Sequence, residues 1–66
     1  MIHVNGEPST VAPGETVASL LAARGLNGGE GLAVAVDGEV VPRGDWELRA
    51  VPDGARVEVL TAMQGG

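Results

Sequence analysis

The sequence predicts a small α+β fold: one helix packed on one face of a small mixed sheet, in the order β-β-α-β-β-β. Three observations predict it. Apolar residues alternate near both ends of the chain, at Ile2 and Val4 and again at Val57 and Val59, which is the two-residue period of a strand. Between them, Val17, Leu20 and Leu21 recur at helical spacing. Asn5-Gly6 and Asp37-Gly38 each join two short apolar runs, and such pairs suit the positive φ angles of a tight hairpin turn. At 66 residues the chain makes one domain. A domain of this size buries only about 60% of the surface that its unfolded chain exposes.

The elements follow in order. "MIHV" is a strand with Ile2 and Val4 on one side and His3 on the other, facing solvent. After the Asn5-Gly6 turn, "EPSTVA" (residues 7–12) is the return strand. Pro8 has no N–H to give to a ladder, which places this strand at a sheet edge. "TVASLLAARG" is a helix, with Thr16 as N-cap and Gly25 as the left-handed residue beyond its end. Leu26 is placed to pack back on the last helical turn. "NGGEG" is a loop, so the internal Gly28-Gly29 pair is only that. "LAVAVDGEVVP" is a second hairpin, with Leu32, Val34 and Val36 on one face and Ala33 and Ala35 on the other; Pro42 ends it. "RGDWELRAV" has no clean period and reads as a connecting turn or short helical stretch. Pro52, Asp53 and Gly54 make a turn, since Pro fixes φ and Gly supplies the positive one.

"ARVEVLTA" is the last strand, with Val57 and Val59 facing one way and Glu58 and Leu60 the other. The first and last strands are the cleanest and are expected side by side at the sheet centre. The domain then spans residues 1–62, and "MQGG" (63–66) is a flexible tail leaving a rigid anchor at Ala62. The helix should cover Ile2, Val4, Val34, Val36, Val57 and Val59. His3, Ala33, Ala35, Leu60 and Ala62 share the opposite, mildly apolar side, which leads to the tail. Leu60, Ala62 and Met63 are therefore candidates for docking a partner. A small chain short of polar residues would leave such a face apolar in any case.

Composition excludes several function classes. Four cationic side chains, all arginine, stand against nine acids, for a net charge of -5. Such a surface repels phosphate backbones, and stacking aromatics are missing, since Trp46 is the only aromatic residue. Trp46 instead reads as a plug at the edge of an aliphatic core. There is no cysteine and only one histidine, which leaves little for a disulfide framework or a metal site. No apolar run approaches the roughly 18 residues of a membrane span. "MIHVNGE" lacks the basic and long apolar regions of a secretory leader. The expectation is a cytoplasmic protein without nucleic-acid or membrane partners, docking on basic surfaces. Lacking cysteine and lysine, and with no serine or threonine in a motif with His3, the chain does not read as an enzyme.

The Gly65-Gly66 terminus poses the functional question. Glycines add nothing to a core, so the pair is either a frayed end or the working part. A terminal carboxylate becomes reactive when activated as a mixed anhydride with AMP. A side-chain-free tail suits the narrow channel such activation needs. Nothing charged between Val59 and Gly66, apart from the carboxylate itself, would need desolvation.

Over essentially its full length the chain resembles the sulfur carrier proteins of thiamine biosynthesis, a ubiquitin-like β-grasp family. The resemblance rests on "VNGEP", "TVASLL", "VAVDGEVVPRGDW", "DGARVEV" and the terminal "GG". Two turn positions depart from it: Asp37 stands where the family often has Asn, and Ala55 where it commonly has Asp. The resemblance implies a carrier that binds no cofactor and is not itself a catalyst. An E1-like adenylyltransferase using ATP and Mg would adenylate the Gly66 carboxylate, with Gly65 threading the channel. A sulfur-donating enzyme would convert it to a thiocarboxylate, and a thiazole synthase would take the sulfur. The alternatives are a carrier for molybdopterin or cysteine synthesis, a ubiquitin-like modifier joined to target lysines, and a non-covalent binding module with an idle tail.

Overall fold

In the computed structural model, residues 1–26 and 31–61 are described. The elements are β1 (Ile2–Val4), β2 (Glu7–Ser9), α1 (Val17–Ala23), β3 (Leu32–Val36), β4 (Glu39–Val41), a 3-10 turn at Arg43–Asp45, and β5 (Arg56–Thr61). The strands form one sheet in the order β2-β1-β5-β3-β4. β1 and β5 run parallel, and the other neighbours run antiparallel. The expected element order therefore stands, with the first and last strands adjacent and β5 in the centre.

One expected boundary is corrected. The return strand ends at Ser9 rather than Ala12. Its only ladder partner is β1, and the Ile2–Ser9 pair already uses the first residue of that strand. Pro8 lies opposite His3 on this outer strand, as its missing N–H requires.

Both hairpin turns take the left-handed geometry that their sequences predict. Asn5 and Gly6 have φ of 52° and 85°, and Asp37 and Gly38 have 52° and 82°. The first residue of each turn also grips β5. Asn5 Oδ1 accepts from the Val59 N–H at 2.8 Å while Asn5 Nδ2 donates to the Val59 carbonyl at 3.0 Å. Asp37 Oδ1 accepts from the Arg56 N–H at 2.8 Å. These contacts account for the two residue types. The Asn5 position needs a donor and an acceptor together, which a carboxamide has. The Asp37 position needs only an acceptor, which a carboxylate supplies.

The helix is fastened at both ends. Thr16 Oγ1 accepts from the Ser19 N–H at 3.2 Å, and Ser19 Oγ accepts from the Thr16 N–H at 3.0 Å, a reciprocal capping box. At the other end the Leu26 N–H reaches the Leu21 carbonyl and the Gly25 N–H reaches that of Ala22, with Gly25 at φ 75°. This is the Schellman ending expected from Gly25 and Leu26.

The core contains Ile2, Val4, Val34, Val36, Val57 and Val59 from the sheet with Val17, Leu20 and Leu21 from the helix, as the periodicities predict. It also contains Val41, Trp46, Val51 and Ala55. Trp46 is only 6% exposed and its Nε1 donates to the Val41 carbonyl at 2.9 Å. It is thus a satisfied core residue, and the Arg43 guanidinium lies 5.7 Å from its ring centroid.

Within the stretch without a period, residues 43–51, the part after the 3-10 turn serves the helix start. The Val17 N–H donates to the Arg49 carbonyl and the Ala18 N–H to that of Trp46. Together with the Thr16 side chain, these contacts satisfy the first three helical N–H groups, which have no partner inside the helix. At the other end of this region, the Met1 ammonium pairs with Asp53, and that hydrogen bond and its charge hold the Asp53 carboxyl below its ordinary range.

Candidate functional site

Strand alternation along β5 decides what the uncovered face displays. Val57 and Val59 turn into the core, so Arg56, Glu58 and Leu60 turn outward. The register then assembles a row of neighbours. Leu60 lies opposite Ala33, Glu58 opposite Ala35, Ala35 opposite Val40, and His3 opposite both Arg56 and Pro8. Leu60 is 66% exposed and Val40 is 71% exposed, high values for large apolar side chains.

The structure thus brings His3, Ala33, Ala35 and Leu60 onto one face, as the alternation predicts, with Ala35 half-buried. Ala62, Met63, Gly65 and Gly66, together with Gly28 and Gly29, lie outside the described residues. The expected mildly apolar character of the face is corrected. Arg56 and Glu58 sit in it, so it is divided: Leu60 and Ala33 form an apolar end towards the last residue of β5, and His3, Arg56 and Glu58 form a charged end. These three, with Asn5 and Gly6, partly line a shallow hollow. The alternation already set Glu58 beside Leu60. The neighbourhood of Arg56 and His3 depends on the β1–β5 register, which no local pattern gives.

A second exposed apolar residue was not singled out by the sequence. Leu48, 80% exposed, shares a surface depression with Val40 and Pro42 beside outer strand β4. Arg49 pairs with Glu39 at 2.9 Å next to it.

The chemistry on the described face is contact chemistry. No buried polar or charged side chain is found among the described residues, and no three of His, Cys, Asp or Glu gather there as a metal site. Three of the described hydroxyls have structural partners: Ser9 Oγ accepts from Arg24 Nη2 at 2.7 Å, and Thr16 and Ser19 cap the helix. No helix among the described residues is long and apolar enough to cross a membrane.

A five-stranded mixed sheet with parallel first and last strands and one helix across it defines the class: a ubiquitin-like β-grasp protein. The chain belongs to the ThiS family, whose profile it matches over residues 2–66. It is similar to the crystal structure of a thiamine biosynthesis protein (ThiS) from Geobacter metallireducens. That likeness has 40% identity and a TM-score of 0.79, covering 98% of this chain and 97% of the other. A solution structure of a thiamine biosynthesis protein from the same organism matches at 40% identity and a TM-score of 0.74, covering 98% and 86%. No curated protein matches the chain.

Proposed function

We propose that this chain is a sulfur carrier for thiamine biosynthesis and that its working group is the Gly66 carboxylate. The observation that carries the reading is family membership running through residue 66, so that the Gly-Gly terminus lies within the matched region. The likeness to two thiamine biosynthesis proteins supports the pathway. The charge of -5 supports basic docking surfaces on the partners.

The chemistry runs in two displacements on a partner enzyme of the adenylyltransferase class. A carboxylate oxygen of Gly66 attacks the α-phosphorus of Mg-ATP, and pyrophosphate leaves. A sulfur nucleophile then attacks the acyl carbon; a C–S bond forms, the bond to the AMP oxygen breaks, and AMP leaves with its electron pair. The thiocarboxylate so formed is the sulfur donor for a thiazole synthase. The carrier works in the cytoplasm, and Gly65 gives the chain end passage through a narrow channel. Leu60, Ala62 and Met63 dock on the activating enzyme.

The test is intact mass after incubation with an adenylating enzyme, Mg-ATP and sulfide, with and without a thiol alkylator. Exchange of oxygen for sulfur nearly matches the mass of a methionine sulfoxide, which Met1 and Met63 can form, so the alkylator is needed. The chain has no cysteine to compete. An ATP-dependent alkylated species is expected; its absence under conditions that load a working carrier would overturn the reading. Isopeptide-linked adducts on target lysines would favour a protein modifier instead.

Leu60→Glu tests the docking face. Leu60 is well exposed, so the fold should persist, while a charge opposite an apolar partner surface should raise KM for adenylation by about tenfold or more. An unchanged KM in a folded variant would remove Leu60 from the docking surface.

A further inference from the structure

β5 is gripped on its β1 side only as far as Val59. The backbone ladder there runs from the His3 N–H to the Ala55 carbonyl at 3.0 Å and from the Asn5 N–H to the Val57 carbonyl at 2.8 Å. At Asn5 the chain turns left-handed, and Gly6 carries it away from β5 towards β2. A parallel ladder would next offer Val59 a carbonyl and an N–H from β1. The Asn5 carboxamide offers both in their place, accepting at 2.8 Å and donating at 3.0 Å. The side chain therefore acts as one further peptide group of β1, after the main chain has turned off. Beyond Val59, among the described residues, Leu60 and Thr61 are paired only with β3, through Ala33 and Leu32.

We infer that Asn5 is a positioning residue for the carboxyl-terminal tail: it fixes the point and direction at which β5 leaves two-sided support, and so aims the chain that follows at the activating enzyme. The inference rests on the reading of Gly66 as the reacting terminus. Gly66 lies seven residues beyond Val59, so the point at which β5 leaves two-sided support sets the length of chain available to reach the reacting site.

The structure supplies a matched control. Asp37 occupies the same first position of the other hairpin turn, has the same φ of 52°, and grips β5 at Arg56, its far end from the tail. Asn5→Gly and Asp37→Gly both keep a turn that accepts positive φ, and both remove a side-chain grip on β5. Hydrogen exchange should show the Val59 amide at least ~10-fold faster in Asn5→Gly, and the Arg56 amide faster in Asp37→Gly. ATP-dependent adenylation should be measured well below the melting temperature of either variant. Asn5→Gly is expected to lower kcat about tenfold with KM within about twofold, and Asp37→Gly to leave both near wild type. Asn5→Asp, which keeps the acceptor and loses the donor, should fall between wild type and Asn5→Gly.

A wild-type kcat in Asn5→Gly, with the Val59 amide released, overturns the inference. Equal losses of kcat in the two glycine variants also overturn it, since they would show general loosening of β5. If the wild-type protein itself is not adenylated, the carrier reading fails and the inference falls with it. Exchange at Val59 would still report the grip, so the two failures remain distinct.

Discussion

Removal of Gly66 leaves the fold unchanged and abolishes ATP-dependent loading of sulfur. Every buried residue of the described core lies between Ile2 and Val59, so the deletion touches none of them. The truncated chain still ends in a glycine carboxylate, now that of Gly65. Its chemistry is the same and its reach is shorter by one residue, roughly 3.3–3.6 Å of extended chain. In a site that must hold the carboxylate in line with the α-phosphorus, a displacement of that size costs on the order of a hundredfold or more. The alkylated species seen by intact mass should therefore vanish at times when the full-length chain is fully loaded, while thermal melting by circular dichroism is superimposable. Loading at a near wild-type rate would show that tail length is not being measured and that the Gly65 carboxylate serves as well, which would remove the particular role given to Gly66.

Trp46→Ala should remove a large part of the domain's stability. A domain of this size has a stability of roughly 3–10 kcal/mol in all, and truncating a buried tryptophan costs about 3–5 kcal/mol. Here the loss goes beyond volume. The ring is the donor to the Val41 carbonyl at the end of β4, so its removal also leaves that carbonyl without its partner. Trp46→Phe separates these roles: it keeps most of the apolar area and leaves the Val41 carbonyl without its donor, at about 1–3 kcal/mol. Urea denaturation followed by circular dichroism measures both. The phenylalanine variant should shift the midpoint without changing the slope. A Trp46→Ala variant within about 1 kcal/mol of wild type would contradict the placement of this ring in the core.

What was legible in the sequence was what local chemistry controls. Asn5-Gly6 and Asp37-Gly38 announce their turns because few residue pairs accept two positive φ angles in succession. Thr16 and Gly25 mark the helix because their side-chain and backbone properties satisfy its ends without help from distant residues. Alternation assigned Val57 and Val59 to one side and Leu60 to the other. The unread parts were those set by pairing across long separations. Residues 43–51 show no period because the carbonyls of Trp46 and Arg49 answer the helix start, a requirement invisible until the two segments meet. Ala55 looked like a turn residue and proved buried, because Gly54 and Ala55 are drawn against β1 through the Met1 carbonyl and the His3 N–H. Alternation turns Arg56 and His3 outward, but only the parallel register sets them side by side. Of the candidate site, Leu60 could be placed from its own strand. The role of Gly66 came from resemblance, since a glycine pair has no side chain to reveal its purpose.

The central position of β5 also governs when the protein comes into being during synthesis. β5 is the last strand made, yet it is the one that joins the β2-β1 hairpin to the β3-β4 hairpin. Until it emerges from the ribosome there are two separate two-stranded ribbons, and such ribbons are marginal on their own in water. Folding must therefore wait for residues 56–61, immediately before the tail. A chain interrupted upstream would have neither a terminus to activate nor a native surface for an activating enzyme to grasp. Completion of the sheet and arrival of residues 62–66 are nearly the same event, so under the proposed carrier reading no unfinished chain would present a folded surface to an activating enzyme.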